Sequence, residues 1–481
     1  MINFRPIIFF LGLVLSKLAL FMYAPALLAF VTGTEGFIDF GYAIILTHLF
    51  AFVCLTVGRK KNFSLNARDM FLITTFVWAI SSIFASLPFV FISHISFTDA
   101  YFETMSGITT TGSTVLSHIE ELPPSILLWR STLQWLGGVG FIVMAVAILP
   151  ILNVGGMKLF HTESSDWSEK SSPRTKSIAK NIILVYLLLT ILCIVGYLFT
   201  GMNLFDAINL AFTTISTGGY ATSDASMNLF TNETQWVCIL FMILGGLPFL
   251  LLVQSIRNRS LSTLLKDAQV RGFFILIISS TLLITLWLYF NQNVDLISAT
   301  RVSLFNIVSI VTTTGYGLDD FTSWGTFPVI IFAFILSVGA CSGSTSGGIK
   351  IFRFQVALSL LKKQFLQLIH PSAIIVQKYN QRPVTEEIVR SVVAFAITFL
   401  FTVIIIAAIL GFIGLDGTTS ISAAITSVAN VGPGLGNLIG PSGNFEALPN
   451  TAKWVLSIGM LMGRLEILTV LVIFIPAFWK S

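Results

Sequence analysis

Residues 309–317 read SIVTTTGYG, three threonines running into Gly-Tyr-Gly between two long apolar stretches. Hydroxyls and bare glycine backbone are poor material for a lipid-facing helix. They suit a segment whose carbonyl oxygens must point at something, because glycine reaches backbone angles closed to other residues. The motif has relatives: ITTTGST at 108–114, TISTGGY at 214–220 and VANVGPG at 428–434. Aligned on their central glycines, Gly112, Gly218, Gly315 and Gly432, the copies recur roughly every 100 residues. Each follows a moderately apolar stretch, such as DAYFETMSG (99–107) or DAINLAFTT (206–214). Those stretches are too short to cross a bilayer, which takes about 20 residues.

The rest of the chain is membrane material. It has 481 residues, 55% hydrophobic and only 10% charged, against about 25% charged in a soluble domain. Apolar runs lie near 7–31, 40–58, 70–92, 126–151, 178–200, 235–256, 272–290, 325–340, 389–413 and 453–478, which predicts an all-α integral membrane protein with about ten spanning helices. The first run carries Arg5 and Lys17 without a small-residue cleavage site, and is read as a retained helix. The four cysteines lack metal-type spacing and are read as packing residues.

Charge alternates between the connections. Arg59, Lys60, Lys61 and Arg68 share one; Lys158, Lys170, Arg174, Lys176 and Lys180 the next; Arg257, Arg259, Lys266 and Arg271 a third; and Lys350 to Arg390 a fourth. The intervening connections are acidic, with Asp99, Glu103, Glu120, Asp206, Asp224, Asp295, Asp319, Asp416 and Glu446, and Arg301 and Lys453 as exceptions. The positive-inside rule puts the basic face in the cytoplasm. The net charge of +5 therefore marks topology, and no nucleic-acid partner is expected.

Every glycine motif lies in an acidic connection. The repeating unit is helix, short half-helix, polar loop, helix, four times over. Non-helical backbone at membrane depth is tolerated only when buried in protein or lining a water-filled cavity. Four such loops around one axis would form a ring of carbonyl dipoles able to replace the water shell of a monovalent cation. The half-helices would aim their partially negative C-terminal ends at it. A polar turn without function is the simpler reading of one copy, and a poor one for four in register.

This pattern is similar, over essentially the whole chain, to the Trk/Ktr/HKT superfamily of potassium transporters, most closely its bacterial TrkH branch. The resemblance implies four fused helix–pore-loop–helix repeats, pseudo-four-fold, after an N-terminal helix pair. The segments would be 1–62, 63–160, 161–258, 259–365 and 366–481. It also implies that Gly112, Gly218, Gly315 and Gly432 are the glycines of a K⁺ selectivity filter. Backbone carbonyls of Thr110, Thr111, Ser216, Thr217, Thr313, Thr314, Asn430 and Val431 would bind the ion. The fourth loop departs from the threonine pattern with Asn430 and Pro433, so a regular four-fold ring is not expected.

A second polar break, ACSGSTSGG at 340–348, interrupts the closing helix of the third repeat. A phosphate-binding P-loop would need Lys and Ser/Thr directly after its second glycine, and Ile349 stands there instead. Either this is a flexible break or, as the resemblance implies, an intramembrane gate of Gly343, Ser344, Thr345, Ser346, Gly347 and Gly348 beneath the filter. Arg464 and Glu466 fall within the last apolar run, where charges face a cavity or a partner. Two residues apart, they should have different partners. Arg464 matches the family's arginine beneath the filter and is assigned to the gate, and Glu466 is expected to pair with a basic residue such as Lys350.

Function follows as gated potassium uptake across a bacterial inner membrane, with K⁺ as transported ion and no cofactor in this chain. The alternative is a proton- or sodium-coupled symporter. A membrane enzyme is not expected: no HExxH or GxSxG motif occurs, and His118, His161 and His370 are far apart in sequence. Beyond membrane lipids, the resemblance implies a homodimer and a cytosolic nucleotide-binding subunit of the TrkA type. Lys170–Lys180 and Lys350–Lys363 would be its docking surface, or simple positive-inside anchors.

Overall fold

Hydropathy alone divides this chain into long apolar helices, and the architecture follows from where those helices are interrupted. The computed structural model describes residues 4–59, 66–147 and 172–480. Lys60, Lys61, Lys158 and Lys170 of the basic face, and the expected boundaries at 62/63 and 160/161, lie outside the described residues. Helices Phe4–Thr32 and Phe37–Gly58 pack along each other and against the first repeat. Four units of one pattern follow. The opening helices are Ala67–Ile92, with a bend at Ser86–Leu87, then Ser172–Phe199, Ala268–Asn291 and Glu386–Ile413. The short pore helices are Phe97–Ile108, Leu204–Ile215, Leu296–Val311 and Gly417–Ala429.

The closing helices differ from one another. The first, Pro124–Ala147, is continuous. The second breaks between Asn232–Gly246 and Phe249–Arg257 with a bend of 99°, and the fourth between Asn450–Arg464 and Ile467–Leu471 with a bend of 113°. The third, Thr326–Ile335, gives way to an irregular segment before Ile351–Ile369. Among the described residues seven helices are long and apolar enough to cross a membrane, or nine if each bent pair is one span. Of the ten expected runs, two are thus bent pairs, and that at 325–340 is a ten-residue helix followed by a turn and irregular chain.

The break at 247–248 has a clear cause. Pro248 cannot donate a backbone hydrogen bond and disfavours helical angles in Leu247 before it. The fourth break turns on Glu466, held at φ 64°. A large apolar core runs through all four repeats, and large side chains such as Phe199 and Phe412 face outward, 87% and 93% exposed. That distribution suits a lipid surround.

All four pore helices start alike. A cap side chain (Ser96, Asn203, Asp295 or Asp416) accepts the backbone N–H three residues on, from Asp99, Asp206, Ser298 and Thr419. Such caps are worth about 1 kcal/mol each. Asp295 and Asp416 of the acidic face are thus themselves caps, while Asp99 and Asp206 accept from the cap side chains of Ser96 and Asn203. The two basic exceptions are also accounted for: Lys453 pairs with Asp99 at 2.5 Å, and Arg301 donates to Gln235.

Candidate functional site

The pore helices end as uniformly as they begin. In each, one residue just past the end takes left-handed angles: Thr110 (φ 53°), Thr217 (52°), Thr313 (58°) and Asn430 (53°). The next N–H reaches back five residues: Thr111 to Ser106, Gly218 to Thr213 and Thr314 to Ser309, each at 2.8 Å, and Val431 to Thr426 at 3.0 Å. This is the Schellman ending, normally built on glycine. A β-branched residue there is strained, by about 1–3 kcal/mol.

The run of three threonines now has a physical role. In the first and third repeats the leading threonine, Thr109 or Thr312, bonds back to a helix carbonyl at 2.6 Å. The trailing one, Thr111 or Thr314, bonds to it side chain to side chain at 2.8 Å. Between them the middle threonine is held in its strained turn. Its hydroxyl faces the segment below in the third repeat, where Thr313 Oγ1 accepts the Gly347 N–H at 2.8 Å. Thr217 does likewise, bonding Thr345 Oγ1 at 3.1 Å.

These endings correct the register of the second repeat. Two residues after each left-handed residue stand Gly112, Gly219, Gly315 and Gly432. The first three have φ of 87°, 81° and 82°. Gly218 instead matches Thr111, Thr314 and Val431. Ser216 falls one position too early, on the pore-helix cap. The Gly-Gly doublet hides this in sequence, since either glycine aligns.

The four glycines close a ring. A Cβ at Gly112 would strike the Gly218 carbonyl, and one at Gly219 the Thr314 carbonyl. At Gly315 it would lie 2.8 Å from Gly432 N, and at Gly432 3.2 Å from the Gly112 carbonyl. Each loop thus abuts the next, backbone to backbone, in the order one, two, three, four, one. Gly112, Gly219, Gly315 and Gly432 together line a cavity of about 270 Å³ on the acidic face, with Asp224 on its wall. Gly218 does not line it.

Behind the ring stands an ion pair that sequence reasoning missed. Glu103, counted from sequence among the residues of the acidic connections, is fully buried and bonds Arg130 at 2.9 Å. Glu103 also accepts from Thr114 and from Val115 N–H, while Arg130 donates to the Ala221 carbonyl at 3.2 Å and stacks on Tyr220. Loops one and two are thereby tied. Gln134 straddles the second loop, donating to the Gly218 carbonyl at 2.6 Å and accepting from Tyr220 N–H at 3.0 Å. Above them Glu120 accepts from Ser223 and from Asp224 N–H; these bonds, the Ser223 hydroxyl first, hold its carboxyl below the usual range. Loop four is joined to loop one by Ser113 donating to the Gly432 carbonyl at 3.0 Å and Asn430 Nδ2 to Thr111 Oγ1 at 3.1 Å.

Directly below lies the 340–348 segment, held by the second and fourth closing helices, the fourth being tied in turn to the first. Cys341 N–H donates to the Gly246 carbonyl, and Thr345 Oγ1 to that of Gly245 at 3.0 Å. Arg464, fully buried at the fourth break, donates to the Thr345 carbonyl at 2.8 Å and to Gly137 of the first closing helix at 3.3 Å. Gly347 fits against the Ala429 carbonyl with no room for a side chain. Glu466 pairs with Arg353 at 2.7 Å, not with Lys350. Lys350 turns back onto its own segment, donating to Ser346 and to the Gly347 carbonyl. Glu466 is carried off by the backbone turn at its own position, beyond reach of a helical spacing argument. Pro248 and the Gly245-Gly246 pair were the available signals for the second break.

Comparison with known proteins gives one consistent result. Residues 35–481 match the family model described as TrkH, cation transport protein. The chain is 48% identical over its whole length to the Trk system potassium uptake protein TrkI of Halomonas elongata, covering 98% of that protein. It is 34% identical to the Trk system potassium uptake protein TrkH of Escherichia coli K12, with full coverage of both. The crystal structure of the potassium transporter TrkH from Vibrio parahaemolyticus superposes with a TM-score of 0.92 at 33% identity, covering all of both chains.

Proposed function

Because the chain belongs to the TrkH family of cation transport proteins, we propose that it carries potassium into a bacterial cell through its four-loop ring. It is a transporter and not an enzyme. The observation that carries this reading is the closed cycle of glycines above four helix C-termini. Helix C-termini favour cations, and close-packed backbone carbonyls can stand in for a hydration shell. The proposed filter residues are Thr110, Thr111, Gly112, Thr217, Gly218, Gly219, Thr313, Thr314, Gly315, Asn430, Val431 and Gly432. Among the described residues Thr110 Oγ1 and Asn430 Oδ1 are buried without a protein partner, which leaves both oxygens open to an ion or its water.

The segment Gly343–Gly348 with Arg464 acts as the gate in this reading, supported by its place under Thr217 and Thr313. A coupled symporter is the competing reading. Its proton-coupled form needs a titrating carboxylate within the membrane, and buried Glu103 and Glu466 are each committed to an arginine. Rubidium uptake into proteoliposomes, with and without a proton gradient, decides between them. Uptake indifferent to the gradient supports the gated pore, and gradient-driven accumulation overturns it.

The basic face is assigned to the cytoplasm by the positive-inside rule. A homodimer and a TrkA-type nucleotide-binding subunit docked on that face complete the proposal. Salt-sensitive co-purification of such a subunit, with flux that responds to ATP or ADP, is the expected result. Exposed charge pairs are screened over about 8–10 Å.

A further inference from the structure

We propose that the cavity at the basic-face end of helix Ala268–Asn291 holds the headgroup of an anionic phospholipid. The cavity, about 600 Å³, is lined by two cationic side chains, Lys266 and Arg271, with the amides of Gln355, Asn380 and Gln381 and the apolar Ile275. No acid lines it among the described residues. The nearest one, Asp267, is occupied: its Oδ1 accepts the Gln269 and Val270 N–H groups, and its Oδ2 accepts Asn380 Nδ2 at 2.9 Å.

The pocket is built before a ligand arrives. Asn380 sits at the tip of a hairpin, Lys378–Tyr379 against Arg382–Pro383, and its Oδ1 accepts the Ala268 N–H at 2.8 Å. Gln355 donates to the Ala268 carbonyl at 2.7 Å and accepts from Tyr379 at 3.0 Å. Arg271 is oriented by its Nε–H on the Leu265 carbonyl at 3.1 Å, which, among the described residues, leaves both terminal nitrogens to grip a phosphate. A fixed guanidinium suits bidentate phosphate contact.

Above the cations the same helix face turns apolar. Ile275, Ile278 and Leu282 follow Arg271 at helical spacing and are 66%, 63% and 57% exposed. This stripe lies along a helix long enough to span the membrane. A phosphate diester below and a hydrocarbon bed above, on one face, is the complement of a phospholipid and not of a free phosphate. Basic pockets between helices at the membrane boundary are suited to such headgroups.

The test is native mass spectrometry of the full chain with added phosphatidylglycerol or phosphatidylcholine. Wild type should retain phosphatidylglycerol preferentially. Each basic side chain near an anionic surface is worth about fivefold, so Lys266→Gln with Arg271→Gln should weaken that retention by about 25-fold. Arg257→Gln with Arg259→Gln removes the same charge from the same connection outside the pocket, and should change it far less. Equal losses in the two doubles, or none in either, overturn the site. Displacement of the lipid by millimolar inorganic phosphate would reassign it to a free anion. Should the first double fail to fold, Lys266→Gln alone carries the test, with about a fivefold loss expected. The proposal does not rest on the transport reading and survives its failure.

Discussion

The ring and the segment beneath it lie one hydrogen bond apart and differ in how they are held. In the ring, the four loops abut backbone to backbone around a closed cycle, with strained threonines locked by flanking hydroxyls. The segment below closes no such cycle: besides the Cys341 N–H on Gly246 and Gly347 against the Ala429 carbonyl, it hangs on side chains, Thr345 on Gly245, Arg464 on Thr345 and Lys350 on Ser346. Backbone packing of the first kind has no alternative arrangement at small displacement. Bonds of the second kind can be released singly and reformed. In the proposed reading the upper region is the fixed filter and the lower one the part that moves.

The severest way to break that contrast is to remove the support behind the ring. Replacing Glu103 with Gln leaves Arg130 buried without its counter-charge, a loss of about 3–5 kcal/mol. The expected outcome is a large fall in the thermal midpoint of the purified protein, with flux lost in step. Next comes the ring itself. Gly219→Ser puts a side chain into the Thr314 carbonyl at a positive φ, and should cut K⁺ over Na⁺ discrimination in flux assays by about tenfold or more, from about 1–3 kcal/mol of strain. Gly218→Ser meets the movable Gln134 side chain instead and should do less. A larger effect at Gly218 would restore the register read from sequence.

Arg464→Ala tests the lower region. Bonds from a charged donor are worth about 1.5–3 kcal/mol, so basal flux should rise about tenfold with selectivity intact. Deletion of Gly343–Gly347 should act in the same direction. Thr217→Val removes one hydroxyl tie, worth about 0.5–1.5 kcal/mol, for a rise of a few-fold. A change of selectivity in either point variant would erase the division between fixed ring and movable segment.

The smallest effect is one of pH. The Glu120 carboxyl, held below its ordinary value by Ser223 and Asp224, stabilises the acidic-face cap above the unfolded pKa. That contribution is lost as pH falls through the lower folded value. Melting curves from neutral pH to below 4 should show a small acid-dependent loss that Glu120→Gln abolishes.

Much of this arrangement could be read from residues. The fourfold recurrence of the Thr/Gly motif after short half-helices gave the repeats, and the composition gave the membrane. The strained turn was unreadable, because nothing in TTTG distinguishes the threonine that takes left-handed angles from its neighbours. Hydropathy averages over a single bent residue pair, so the breaks at Leu247-Pro248 and Leu465-Glu466 vanished into apolar runs. Glu103 counted among the acids of the connections because its partner Arg130 stands 27 positions on, in a helix that sequence alone did not bring behind it.

The ring's closure within one chain has an experimental consequence. In a pore of four identical subunits a substitution is made four times or not at all. Here each quadrant can be altered alone, and Thr110, Thr217, Thr313 and Asn430 already form a natural series of non-identical positions. The 340–348 segment comes from one quadrant only. If it is the proposed gate, opening a single pore is one molecular event, and any cooperativity in activation would have to arise between chains.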